Sequence, residues 1–186
     1  MNIYKRIYWA VFNRLGKWRR YYYNLLPDVT VGRNTFIERG VVLRSAGGGK
    51  IVIGENCRLS QGVQLITDGG NIQIGNYTTI NPYTIIYGQE SGTIIGNMVR
   101  IAAHCTIVPA NHRYDNPEKP IYQQGFDAKS GIVIEDDVWL GSGVRVLAGV
   151  NVSKGCVIGA NSVVTKSTEQ YGVYVGVPAH KIKSRD

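Results

Sequence analysis

The chain has 186 residues and a mass of 20.5 kDa, and its 44% hydrophobic and 18% charged residues exclude a disordered polymer and fit one domain with a buried core. No run of about eighteen apolar residues exists to cross a bilayer, and Ile7 to Phe12 is too short for a signal-peptide core of about seven to fifteen, so a cytoplasmic location is expected. Of the formal charge of +8, six positive charges lie in residues 1–27 with no acid before Asp28; the rest of the chain lacks a basic stripe and any zinc-finger or RNP-type motif, so nucleic acid is not an expected partner.

Residues 1–27 form a segment of their own. Ile3, Ile7, Val11, Leu15, Trp18, Tyr22 and Leu25 fall on one helical face over residues 3–26, with Arg6, Asn13, Lys17, Arg20 and Asn24 opposite, which predicts an amphipathic helix. Two roles are open to it. It can cap the first unit of the repeat described next or pack against another subunit, and capping is the preferred reading because Arg14 interrupts the apolar face. Alternatively, its basic residues together with Tyr4, Tyr8, Trp9, Phe12 and Trp18 suit peripheral contact with the inner face of the plasma membrane.

From residue 28 to 186 the organising feature is a repeat of six. Val, Ile or Leu recurs at 31, 37, 43; 53, 59, 65; 74, 80, 86; 95, 101, 107; 134, 140, 146; and 152, 158, 164. Extra residues enter only after the third member of a triplet, so three hexads make one coil, six coils are present, and all insertions leave from one corner of a triangular prism. A helix would spread a six-residue period around its surface; a short strand turns every anchor inward. Four residues after the anchors stand small or β-branched types, among them Thr35, Val63, Thr84, Val99, Val144 and Ser162, as a narrow interior demands. Gly32, Gly54, Gly75, Gly96, Gly141 and Gly159 follow anchors directly and are assigned to tight corners. Cys57, Cys105 and Cys156 share the inward register and are read as packing residues, neither disulfide partners nor reactive thiolates.

The step from Ile107 to Ile134 spans 27 residues where the other interrupted steps span nine or ten, and an ordered loop of that length is commonly functional. Loop 108–131 contains His112, in Pro109-Ala-Asn-His-Arg-Tyr-Asp115; His104 stands at a hexad corner and His180 in the C-terminal tail, 167–186.

Three stretches carry a resemblance: Ile134-Glu-Asp-Asp-Val-Trp-Leu-Gly-Ser142, Val157-Ile-Gly-Ala-Asn-Ser-Val-Val-Thr-Lys166 and Gly176-Val-Pro-Ala-His-Lys-Ile182. Over about residues 29 to 183 the chain resembles the hexapeptide-repeat acyltransferases, in the branch of maltose and galactoside acetyltransferases and O-acetyltransferases of bacterial surface polysaccharides. The resemblance implies an all-β fold, a left-handed parallel β-helix, assembled as a homotrimer. It implies acetyl-CoA as acyl donor, no metal requirement, and a sugar or glycan hydroxyl as acceptor. His112 matches the family histidine that takes the acceptor's proton, a task imidazole suits because it titrates near neutrality. Asn81 matches the asparagine that contacts the acceptor, its carboxamide both donating and accepting to a vicinal diol. Asp115 is open to three roles: orienting His112, touching the sugar, or serving as an ordinary loop acid. For acetyl-CoA the resemblance implies a groove between neighbouring prisms lined by Gly141, Ser142 and Ala160, where a backbone N–H would stabilise an oxyanion. Trp139 matches a tryptophan beside that groove, although an outward Trp could equally cover a subunit interface. Thr165 and Lys166 match positions at the nucleotide end. Lys183 replaces a common arginine, and His180 departs from the usual basic residue.

Other readings stand beside this one. Related β-helix proteins N-acetylate amino sugars on nucleotide carriers, but a His-Glu pair after the loop is missing here. A γ-carbonic-anhydrase-like hydratase would need three histidines on zinc, and the spacing of 104, 112 and 180 does not match. A purely structural solenoid leaves the loop and the tail motif without a purpose.

Overall fold

The computed structural model describes residues 2–127 and 130–185; Met1, Ala128, Lys129 and Asp186 lie outside the described residues, as do the side chains of Trp9 and Asn13. The repeat folds as the six-coil prism that its period predicts, a parallel β-helix as the resemblance implies. The first face carries strands Val29–Val31, Ile51–Ile53, Ile72–Ile74, Thr93–Ile95, Ile132–Ile134 and Asn151–Val152. Phe36–Ile37, Arg58–Leu59, Thr79–Ile80, Arg100–Ile101, Trp139–Leu140 and Val157–Ile158 make the second face, and Val42–Arg44 through Val163–Val164 the third. Pairing is parallel and in hexad register: Ile53 opposes Ile74, Ile80 opposes Ile101, and Ile107 opposes Val146.

All eighteen anchors are buried, and so are the small residues four places after them. Burying each Ile or Leu contributes roughly 1.5–3 kcal/mol, which is how strands of two or three residues hold together. The hexad count misses one layer of core. The first five first-face strands are three residues long with both ends inward, so Val29, Ile51, Ile72, Thr93 and Ile132 are buried as well.

The glycines after the first-face anchors answer to crowding rather than to an unusual backbone. A Cβ on Gly54 would lie 2.5 Å from Asn76 Oδ1, which accepts the Glu55 N–H at 2.8 Å, and Asn97 Oδ1 accepts the Asn76 N–H one coil on. Without the glycine, the side chain that caps the neighbouring coil has no room. Positive φ falls elsewhere in these corners, on Asn34, Asn56, Tyr77, Met98 and Asp137.

The helix Ile3–Tyr23 lies across the open first coil, but not by the stripe that the sequence marks as its apolar face. Phe12, Gly16, Arg19 and Tyr23 face the coil: Phe12 packs 5.2 Å from the Phe36 ring and Gly16 lets that ring close on the helix. Tyr23 Oη donates to the Val41 carbonyl at 2.6 Å, Arg19 donates to the Ile37 carbonyl at 3.4 Å, and Asn24 pairs with both the N–H and the carbonyl of Val31. These are backbone groups of the edge that has no coil before it, so side chains satisfy what a strand would otherwise pair. Packing selects this face because only it offers a gap, at Gly16, for the Phe36 ring.

At the other end the residues read as a tail are structured. Gly172–Val175 adds to the second face in parallel beside Val157–Ile158, and His180–Ser184 pairs antiparallel with it. Tyr174 opposes Ile158 and is buried at 9% exposure, while its hydroxyl accepts the Glu169 N–H at 2.8 Å. An aromatic ring replaces the aliphatic anchor there, which is why the six-residue count does not register a partial seventh coil.

Candidate active site

The long insertion leaves from the corner between the third and first faces and is held by its own contacts. Asn111–His112 pairs antiparallel with Phe126–Asp127, and the Arg113 N–H donates to the Gly125 carbonyl at 3.0 Å. Further out, Gln124 bridges the Asn116 backbone and the Lys119 carbonyl through both ends of its carboxamide. His112 is exposed, and its ring lies 4.5 Å from that of Phe126. Sequence reasoning did not single out Phe126; a lone aromatic in a polar loop gives no periodic signal. Asp115 lies in a polar hollow of about 360 Å³ with Arg113, Asn116, Lys119, Gln123 and Gln124. No hydrogen bond joins Asp115 to His112 among the described residues.

The other proposed residues separate onto distinct parts of the prism. Asn81 follows Ile80 at the corner between the second and third faces, half-buried, with Nδ2 donating to the Ile101 carbonyl at 2.8 Å. Gly141 stands in the same column two coils on, roughly 10 Å away at strand spacing. Ser142 and Ala160 belong to this corner too, and a Cβ on Gly141 would lie 2.6 Å from the Ala160 nitrogen. The Gly141 N–H already donates to the Ile158 carbonyl at 2.8 Å, so it is not available to an oxyanion. The amides of Ser142 and Ala160 donate no hydrogen bond within the described residues and remain the candidates. Thr165 and Lys166, both exposed, stand at the corner between the third and first faces, two coils from the root of the His112 loop. Trp139 projects outward from the second face at 55% exposure. Along that face Trp139 opposes Val157, Val157 opposes Val173, and Val173 opposes Lys183, so tryptophan and lysine lie in one row.

The three histidines are not gathered within one chain. His104 occupies a corner with φ of 60° and stacks 5.4 Å from Tyr83, His112 is on the loop hairpin, and His180 pairs with Val175. The cysteines are free, buried and hydrogen-bonded: Cys57 Sγ donates to the Gly75 carbonyl at 3.0 Å and Cys105 Sγ to the Gly141 carbonyl at 3.2 Å. Burial pushes both of these thiols up from the ordinary range, which holds them protonated and unreactive.

Residues 131–166 match the family model for bacterial transferase hexapeptide (six repeats). WbbJ of Escherichia coli (strain K12), described as a lipopolysaccharide biosynthesis O-acetyl transferase, is 36% identical over 142 residues, which is 73% of this chain and 72% of that protein. A galactoside O-acetyltransferase of Lactococcus lactis is 34% identical over 127 residues, 68% of this chain and 59% of its own length. The chain spans only 51 to 62% of the length of several curated relatives that it matches. Among solved structures, a single-residue mutant of AntD, an N-acyltransferase from Bacillus cereus, in complex with dTDP-4-amino-4,6-dideoxyglucose and coenzyme A, superposes with a TM-score of 0.73 at 29% identity, covering 84% of this chain and 83% of that one.

Proposed function

Because the chain belongs to the bacterial hexapeptide-repeat transferase family, we propose that it transfers an acetyl group from acetyl-CoA to a sugar hydroxyl in surface polysaccharide synthesis. The observation that carries this reading is an exposed imidazole, His112, held on a hydrogen-bonded hairpin inside the one long insertion. A sugar hydroxyl is barely ionised near neutrality and needs a base at a fixed place. His112 accepts that proton as the hydroxyl oxygen bonds to the thioester carbonyl carbon. The Ser142 or Ala160 amide stabilises the resulting oxyanion, a contribution commonly worth about 3 kcal/mol. As the carbon–sulfur bond breaks, the imidazolium returns the proton to the departing thiolate, and both atoms and charge balance without an acyl-enzyme. Asn81 orients the acceptor. Trp139 and Lys183 flank the donor in one row, with Thr165 and Lys166 at its nucleotide end.

The similarity to AntD supports one second reading, N-acylation of an amino sugar on a nucleotide carrier. One experiment separates the two. The protein is incubated with acetyl-CoA and a panel of glycans and nucleotide-linked amino sugars; thiol release is followed and products are weighed before and after mild alkali, which removes esters and spares amides. An alkali-labile acetyl on a glycan is the expected result. An alkali-stable product would transfer the assignment to the amino-sugar reading, and absence of thiol release with every sugar would overturn both.

A further inference from the structure

The N-terminal helix uses one side to cap the coil and leaves a second surface exposed beside it, with Val11 and Leu15 at its coil-ward border, lining a cleft with Glu38, Arg39 and Gln61. Ile3, Ile7, Val11, Leu15, Trp18 and Tyr22 of the helix, with Leu25 just beyond its end, form an apolar stripe interrupted by Arg14, each apolar residue between 48 and 82% exposed. At about 100° per residue the stripe covers roughly a third of the helix circumference and runs its whole length, about 31 Å for the 21 residues. Arg6, Arg14 and Lys17 adjoin it, all exposed, and the helix contains no acidic residue. The cap contacts of Phe12, Gly16, Arg19 and Tyr23 fix the helix orientation, so the exposure of the stripe belongs to the fold.

We propose that this exposed face docks the protein in the plane of an anionic lipid bilayer. A linear apolar stripe beside a basic band, carrying Trp18, Tyr21 and Tyr22, matches an interface that is oily inside and negatively charged at its rim. A second copy of the same face is disfavoured by charge, because two such helices would bring like-charged bands together. No helix among the described residues is long and apolar enough to cross a membrane, so the contact is one of lying on the surface. For an enzyme acting on surface glycans, such docking confines the search for a lipid-held acceptor to two dimensions, though the inference stands apart from the acetyl-transfer reading.

The test is co-sedimentation of the full chain with phosphatidylcholine vesicles and with vesicles containing phosphatidylglycerol, at low and high salt. Binding is expected to the phosphatidylglycerol vesicles, weakened by salt. R6Q/R14Q/K17Q should lower the partition coefficient by about a hundredfold, since each basic residue near an anionic surface contributes roughly fivefold. I7Q/W18Q should weaken it comparably while the melting temperature is kept, because both side chains are more than half exposed. Equal binding to both lipids, no binding to either, or unchanged partition of the variants overturns the proposal. So does a fall in the solution mass of I7Q/W18Q without vesicle binding by the parent, which would make the stripe a contact between copies. The comparison of lipids with the unaltered chain needs no variant to fold.

Discussion

His112 and His104 pose a controlled comparison, because both are exposed and packed against an aromatic ring while only His112 sits in the long insertion. His112→Ala should lower acetyl transfer by about 10²–10⁴-fold, the usual cost of losing a general base, with acetyl-CoA affinity nearly unchanged in a binding titration. His104→Ala should leave turnover near that of the parent. The buried thiols make a prediction of a different kind. Cys57 and Cys105 are pushed above the ordinary thiol value of 9.0 by burial, so the folded chain holds protons that the unfolded chain gives up. Their contribution to stability is therefore complete below about pH 9 and is lost as pH rises through the folded values. Melting temperatures of the parent and of Cys57→Val and Cys105→Val, read at pH 7.5 and pH 10, should show a smaller alkaline loss in the variants. An equal loss in all three would refute the assignment.

Among the elements, the N-terminal helix depends on one position for its seat. Gly16 is buried under the Phe36 ring, and any side chain there would be driven into the aromatic face. Gly16→Leu should lift the helix, costing roughly 1–3 kcal/mol as overpacking does, while the β-helix itself persists. Thermal melts together with limited proteolysis at the basic residues of the helix would show this as a lowered midpoint and new cleavage before Asp28. Gly16→Ala is the milder companion and should fall between the two. Survival of the parent's protection in Gly16→Leu would mean that the Tyr23 and Asn24 contacts alone hold the cap.

For the whole molecule, the proposed donor-binding residues are divided among parts of the prism that one chain does not bring together. Gly141, Ser142 and Ala160 share one corner, Thr165 and Lys166 another, and Trp139 and Lys183 lie on the second face. A groove between neighbouring prisms would gather them, and so a homotrimer is predicted. Light scattering should give three times 20.5 kDa at working concentrations, and dilution to monomer should abolish transfer. A monomer that turns over normally would require all donor contacts to come from one chain.

The six-residue period determined the coils, the faces and the inward register by itself, because a side-chain alternation of two and a coil of three hexads leave each anchor a single place to go. The loop was legible for the same reason: a departure from a strict period is visible wherever it falls. Local spacing says nothing about which side of a helix meets a neighbour, so the apolar stripe was visible in the sequence while its being left exposed was decided by the fit of Gly16 beneath Phe36. The partial seventh coil was likewise decided by tertiary pairing, since Tyr174 fills an anchor's place without belonging to the period. Availability of an amide for an oxyanion is a property of the hydrogen-bond ladder, which is why only the assembled coils could set Gly141 aside in favour of Ser142 and Ala160.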